Sequence, residues 1–308
     1  MINGPVGPVV VAAFLFLIII QNRGCFMNQP VVQVIIPVYN AQKYLRECFD
    51  SLISQTYTNW EAIVIDDASA DSSAEIIKEY AAADSRFTYI LQEKNKGVSN
   101  TRNLALSMLT GEYTAFLDSD DYWDKDMLMT LVKKAEESQS DVVQCRFIYD
   151  FSGGRTYLPT GAFNKDVELS GSGMKKVIFR MLTGINMNHV CMKLIKTELL
   201  KGLSFNTELR TAEDLQFCVH LFEKVEKYSF INKAMYHYRR VETSLTGSGL
   251  SGKEKIKANA VVSKDIKNAL PSWNIDTPLW RFMCDIRPIV ITVSKIFRIF
   301  REKIYSVK

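Results

Sequence analysis

The sequence predicts an α/β fold on a mostly parallel central sheet, and three observations carry the prediction. Short β-branched runs without alternation, Val31–Ile36 (VVQVII) and Ala62–Ile65, suit strands buried on both faces. Segments with helical apolar spacing separate them. Turn-forming or acidic residues follow three different strands: Pro37-Val38-Tyr39-Asn40, then Asp66-Asp67, then Asp118-Ser119-Asp120-Asp121. Strand and helix in alternation give a parallel sheet with helices on both faces. In such sheets ligands bind outside the carboxyl ends of the strands, so these three groups should share one rim.

The elements follow in order. After the first strand, Tyr44, Leu45, Cys48, Phe49 and Leu52 form an apolar stripe over Ala41–Ser54, with Asn40 as N-cap. The second strand is followed by a helix over Ser72–Ala83, with Ile76, Ile77 and Tyr80 on one side. A strand over Phe87–Leu91 leads to a helix over Asn100–Leu109, stopped near Gly111. Tyr113–Leu117 is a strand ending in the acidic cluster, where Asp121 opens the next helix over Lys125–Glu137. Asp141–Ile148 is a fifth strand. Ser152-Gly153-Gly154 then reads as a turn, and the rhythm changes. Helices are expected over Ser170–Leu182 and Ala212–Val225, a strand over Tyr228–Asn232, a mobile loop over Thr243–Gly252 and a mostly helical Pro278–Lys308.

The 308 residues suffice for one large α/β domain with an elaborated second half, or two modest ones. With 47% apolar and 23% charged residues, a packed core is expected and global disorder is not. The organisation that fits is an apolar N-terminal segment (1–30), a regular first half (31–150), a less regular second half of the same domain (151–246) and a basic helical extension (247–308). The net charge of +4 is too small to argue for nucleic acid. It is unevenly placed, because Ser251–Lys308 carries 12 Lys/Arg against 5 Asp/Glu. None of the six cysteines forms a C-x-x-C pair, which argues against a zinc site or disulfide framework and fits a reducing cytosol.

Val9–Ile20 is a 12-residue apolar run, short of the roughly 20 residues that span a bilayer. No basic residue precedes it and no small-x-small site follows. It fits a weak membrane anchor, or a start placed ahead of Met27, better than a cleaved signal. At the other end, Ile289–Tyr305 alternates basic residues with large apolar ones. Such a helix can lie on an anionic membrane surface through 289–308, or pack on the domain as a final helix.

Asp118 and Asp120 stand two apart at a strand end, which directs both carboxylates to one side. Oxygen ligands in that arrangement suit Mg²⁺ or Mn²⁺, which takes its remaining ligands from water and phosphate. A lone D-x-D would more often be a solvated helix start, but its place at a strand end favours the metal and diphosphate role. Asp66-Asp67 could accept hydrogen bonds from a ribose or base, or cap the next helix. Arg102 is a candidate diphosphate contact or an ion-paired arginine. Glu213-Asp214 could supply a general base or simply complement a helix dipole. Neither G-x-G-x-x-G nor G-x-x-x-x-G-K-[ST] occurs, which weakens dehydrogenase and phosphate-loop ATPase readings.

Taken together, Val32–Ser73 (VQVIIPVYNAQKYLRECFDSLISQTYTNWEAIVIDDASADSS), Asn95–Leu106 (NKGVSNTRNLAL) and Gly111–Trp123 (GEYTAFLDSDDYW) resemble the inverting glycosyltransferases of family 2, with their GT-A fold, of the bacterial surface-polysaccharide type. Weaker likeness continues through Ala212–Phe217 (AEDLQF) and Tyr236–Thr246 (YHYRRVETSLT). The resemblance implies that Pro37, Tyr39 and Asp67, with Asp66, line a nucleoside pocket. It puts Asn95, Gly97 and Arg102 beside the donor diphosphate and sugar. Asp118 and Asp120, flanking Ser119, would form the D-x-D site for Mn²⁺ or Mg²⁺, and Asp214 would be the base. His237, Tyr238 and Arg239 match a segment that closes over the diphosphate.

The donor this implies is a nucleoside-diphosphate sugar of UDP type, and the acceptor a saccharide or lipid-linked saccharide. The enzyme would be cytoplasmic, or peripheral on the inner face of the cytoplasmic membrane. Two positions depart from the family pattern: Ala68 where D-D-G-S is usual, and Ala212 where Gly often precedes the E-D pair. A nucleotidyltransferase would want a Gly- and basic-rich loop after the first strand, which Pro37–Asn40 does not supply. The intact Asp118, Asp120 and Asp214 argue against a non-catalytic nucleotide-sugar binder.

Overall fold

The structure, a computed structural model, describes residues 29–184, 186–240 and 251–305, with side chains as far as Ile291. Strand β1 (Val32–Val38) is buried at every position, as its unbroken apolar run requires. It pairs in parallel with β2 (Trp60–Asp66) on one side and β4 (Tyr113–Phe116) on the other, with Ile35 facing both Ile63 and Phe116. β3 (Phe87–Leu91) completes that edge, again in parallel. Helices α1 (Leu45–Ile53), α2 (Ser73–Ala83) and α3 (Val98–Leu106) alternate with these strands. Helix α1 buries Leu45, Cys48, Phe49 and Leu52, the stripe read from its spacing.

Beyond β4 come β5 (Tyr122–Trp123), helix α4 (Met127–Ser138) and β6 (Val142–Phe151). With β9 at Lys193–Lys196 and β10 at Lys227–Arg240, the sheet order is β3-β2-β1-β4-β9-β6-β10-β5 among the described residues. Four short strands were not foreseen, and one of them lies inside the sheet. β9 (Lys193–Lys196) inserts between β4 and β6, antiparallel to both. β4 and β6 therefore still run the same way, and β10 is parallel to β6. A four-residue KLIK run carries no periodicity long enough to identify it.

β6 turns back through β7 (Thr156–Tyr157), and β8 (Val167–Ser170) pairs with the start of β10. Helix α5 (Met174–Thr183) follows a 3₁₀ turn at Gly171–Gly173, and α6 covers Glu213–Phe222. Strand β10 runs Lys227–Arg240, far longer than the expected Tyr228–Asn232. Its pairing with β6 shifts register between Phe230 and Ala234 and again between Ala234 and Tyr236. Irregularities of this kind bend a strand without ending it, so the polar Asn232-Lys233 step is a bulge and not a stop. The consequence is functional: β10 carries His237 and Arg239 beside the end of β6, where Arg239 faces Asp150.

The chain closes with α7 (Gly252–Ala269) and α8 (Pro278–Tyr305), which pack on each other. Ser251 caps α7 through a capping box with Glu254. The loop expected over Thr243–Gly252 lies outside the described residues except for these last two, which open a helix. The apolar run Val9–Ile20 lies outside them altogether. No helix among the described residues is long and apolar enough to cross a membrane.

Candidate active site

Parallel pairing brings the ends of β1, β2 and β4 to one rim. Asp67 N–H donates to Val38 O at 2.8 Å, and Leu117 N–H donates to Ile35 O at 3.0 Å. The rim is stitched by short polar side chains. Asp66 accepts from the Ser69 amide at 3.2 Å and from the Ser69 hydroxyl, while Asn40 accepts from the Ala70 amide at 2.8 Å. Pro37 is buried within β1, and Tyr39 beside it is 47% exposed at the rim.

Asp67 is buried, and both its oxygens are committed. Oδ1 accepts from Lys96 N–H at 2.8 Å and Gln92 Nε2 at 2.9 Å, and Oδ2 accepts from Gly97 N–H at 2.7 Å. Its direct work in this geometry is to hold the loop that leads into α3. Gly97 sits there at φ 86, a conformation that excludes ordinary side chains. Asn95 is exposed on the same loop.

The acidic cluster divides into separate functions. Asp118 has a side chain 28% exposed; its Oδ1 accepts from Arg102 Nη2 at 2.8 Å and its Oδ2 from the Cys191 thiol at 3.1 Å. Ser119 is nearly buried. Burial, reinforced by the charge of Asp118, pushes the Asp120 carboxyl up to about 6, and Arg239 opposes that shift. Asp121 does not open a helix, as its sequence position suggested. It is 1% exposed and accepts from Tyr236 OH at 2.6 Å and Arg239 N–H at 2.8 Å, tying the cluster to the end of β10.

Arg102 is ion-paired, one of the two readings its sequence allowed: the side chain is 4% exposed, and its guanidinium lies 5.2 Å over the Phe205 ring. Phe205 itself stacks on Phe217 at 4.0 Å. One terminal nitrogen holds Asp118 and the other holds Asp214 Oδ1, each at 2.8 Å. Burial alone would lower the proton affinity of this arginine, but the charges of Asp214 and Asp118 outweigh it and raise it well above normal. The arginine joins two carboxylates that are far apart in the chain and fixes their relative position.

Asp214 lies in the first turn of α6 with its side chain 18% exposed. Its neighbour Glu213 is raised to about 7 by burial and then by the charge of Asp214. Because the folded chain keeps a proton that the unfolded one releases above the ordinary value of 4.5, Glu213 favours folding at low pH. That contribution is lost as the pH climbs through about 7.

Arg239 gives Nη2 to Glu47 at 2.6 Å, and its Nη1 has no hydrogen-bond partner among the described residues. His237 is held between Asp124 at 3.1 Å and Asp150 at 2.9 Å and stacks on Tyr122 at 4.3 Å. That part of the expected closing segment is anchored. Among the described residues, no group of three or more His, Cys, Asp or Glu side chains is arranged to hold a metal ion.

Three contributors were not read from sequence. Cys191 and Tyr236 bond to the acidic cluster. Lys193, fully buried, donates to Met187 O at 3.1 Å and to His189 O, holding the segment that delivers Cys191. Burial lowers its pKa from the ordinary lysine value. Cys191 and Lys193 sit in a stretch without a motif, and Tyr236 opens the weakly similar Tyr236–Thr246 segment with no role of its own assigned there, so only the folded contacts identify the three.

The two departures from the family pattern share a physical signature. Ala68 has φ 61 and Ala212 has φ 64, the left-handed region where glycine is at ease and alanine is strained. Ala68→Gly and Ala212→Gly should each raise the unfolding free energy by about 1 kcal/mol. Urea denaturation of the single variants measures this, and unchanged or lower midpoints would contradict the strain.

The pattern of glycosyl transferase family 2 matches residues 33–203. The uncharacterized glycosyltransferase EpsJ of Bacillus subtilis (strain 168) is 33% identical over 219 residues, covering 70% of this chain and 63% of EpsJ. The crystal structure of S. aureus TarS 1-349 in complex with UDP-GlcNAc superposes with a TM-score of 0.66 at 26% identity, covering 77% of this chain and 66% of that one. This chain therefore spans less than two thirds of either relative. The mannosyltransferase PcManGT from Pyrobaculum calidifontis, in complex with GDP-Man and Mn²⁺, has a TM-score of 0.53 at 17% identity, covering 87% of both chains, and shows the shared fold. A family pattern that spans more than half of the residues, on this sheet, leaves one assignment: the chain belongs to glycosyltransferase family 2 and has its GT-A fold.

Proposed function

We propose that this protein transfers a sugar from a nucleoside-diphosphate donor, of UDP type, to a hydroxyl of a saccharide or lipid-linked saccharide, with inversion. The observation that carries the reading is the Arg102 bridge, which joins Asp118 at the end of β4 to Asp214, whose chain separation from Arg102 is 112 residues. A diphosphate site and a proton acceptor must lie within one sugar of each other for direct displacement, and the bridge holds the two acids at that scale.

The acceptor hydroxyl attacks the anomeric carbon while the bond from that carbon to the diphosphate oxygen breaks. Asp214 receives the hydroxyl proton on its oxygen not facing Arg102. No covalent intermediate is required, so the configuration inverts. Asp120 and Asp118 would hold Mn²⁺ or Mg²⁺; such an ion neutralises charge on a departing diphosphate. The raised Asp120 carboxyl supports that fit, since a nearby cation removes the cost of its charge. Pro37, Tyr39, Asp66 and Asp67 would border the nucleoside, the last two chiefly by shaping the loops. Asn95, Gly97 and Ser119 would face the phosphates and sugar. Arg239 would offer its Nη1 to the diphosphate while Nη2 stays on Glu47.

In this reading residues 31–150 serve the donor, 151–246 the acceptor and 247–308 the surface on which the enzyme works. Cell-surface polysaccharide assembly is the setting that fits, with the enzyme at the inner face of the cytoplasmic membrane. Incubation with Mn²⁺ and a panel of nucleotide sugars tests the proposal. Release of nucleoside diphosphate from a UDP-sugar, abolished by EDTA, is the expected result. Release of nucleoside monophosphate would point instead to nucleotidyl transfer, and no release from any donor would reject the proposal.

A further inference from the structure

Helix α8 has two unlike sides. Its inner side carries Cys284, Arg287 and Ile291, all at most 5% exposed. Arg287 reaches Asn259 at 3.4 Å and Ser263 at 3.3 Å on α7, and Lys267 of α7 pairs with Asp285 at 2.7 Å. These contacts fix which side of α8 is left facing outward. On that side stand Leu279 at 65% exposure, Phe282 at 58%, Ile289 at 67% and Val290 at 50%. Ile286, between them, is partly exposed.

The spacing is helical, and the sequence continues it without a break through Val293, Ile296, Phe297, Phe300 and Ile304, all within the same 28-residue helix. At 1.5 Å per residue the exposed row from Leu279 to Val290 is about 17 Å long. Four exposed large apolar side chains on one face of one helix are more than the scattered apolar residues of an ordinary surface. The charge of the same region identifies the occupant. From Ser251 onward the chain has 12 Lys/Arg and 5 Asp/Glu, so the apolar row sits in a strongly cationic segment. A second copy would bring the same positive charge to the interface, whereas an anionic lipid surface complements both the charge and the apolar row.

We infer that α8 lies along an anionic membrane surface with its Leu279–Phe282–Ile286–Ile289 side in the lipid interface, and that the contact begins near the start of the helix and not only at its basic end. The inference rests on the proposed membrane location and is independent of the transfer chemistry. A helix used this way spans nothing; it docks the enzyme sideways, with α7 packed on its inner side.

Flotation of the full chain with vesicles tests it. Phosphatidylcholine vesicles containing phosphatidylglycerol should carry the wild type, and pure phosphatidylcholine vesicles should carry much less. Phe282→Glu combined with Ile289→Glu should lower the partition at least roughly tenfold. These side chains are exposed, so the melting temperature of the double variant should match the wild type. A control pair at other exposed sites, Tyr157→Glu with Leu158→Glu, should float as the wild type does. Three results overturn the inference: a wild type that stays with the free protein, a double variant that floats equally well, and a wild-type dimer in sedimentation that the double variant breaks without vesicle binding. The second also covers an anchor at Val9–Ile20, which the double variant retains. Nucleotide release measured on the same samples separates failure of the membrane face from failure of the transferase reading.

Discussion

Asp214→Asn should bind UDP and Mn²⁺ as the wild type does and transfer sugar ~10²–10⁴ times more slowly, the usual worth of a general base. The amide oxygen can still accept from Arg102, as Asp214 does at 2.8 Å, so the bridge to Asp118 persists. The lost capacity is the ability to take up a proton. The effect should therefore fall on kcat with little change in the KM for donor. Titration calorimetry with UDP, alongside kcat and KM for the best donor of the panel, separates the two. A variant with wild-type kcat would remove Asp214 from the reaction, and its neighbour Glu213, raised to about 7, would then be the next carboxylate to test.

Arg102→Met should be the most destabilising change at the site, about 3 kcal/mol, and should also silence transfer. Methionine fills much of the space over Phe205 but leaves Asp118 and Asp214 facing each other with no cation between them. Removing one partner of a buried ion pair costs more than the pair itself contributes, because the remaining charge stays desolvated. Arg102→Lys should recover part of the stability and little of the activity. A single ammonium cannot hold two carboxylates in the fork geometry of a guanidinium. Urea unfolding midpoints and nucleotide release report the two effects. Wild-type stability in the methionine variant would mean that the bridge is not a structural unit. Combining Arg102→Met with Asp214→Asn should cost less than the sum of the two, since each disrupts the same contact.

The first half of the fold was open to reading because its signals are local. β1 is buried on both sides, so its composition announces it, and α1 has a stripe that spacing alone identifies. The second half resisted for the same reason in reverse. β9 is four residues long and gains its place only by pairing with β4 and β6, which lie far away in sequence. β10 contains a polar step that sequence reads as an end and tertiary pairing carries through as a bulge.

Sequence by itself determined that there is a rim, which strands supply it and which acids stand on it. Strand direction and the period of side chains are properties of a few neighbouring residues. It also marked Ala68 and Ala212 as departures without giving their cause, which is a backbone angle. The tertiary structure alone decided how the acids share the work. Asp118 is held by Arg102 and Cys191, Asp120 is raised by burial and by the charge of Asp118, Asp121 is used up by Tyr236 and β10, and Asp67 is spent on its own loop. The residue type gives a carboxylate the same chemistry everywhere. Burial and partners decide whether it serves as ligand, base or strut, and those are supplied by residues remote in the chain.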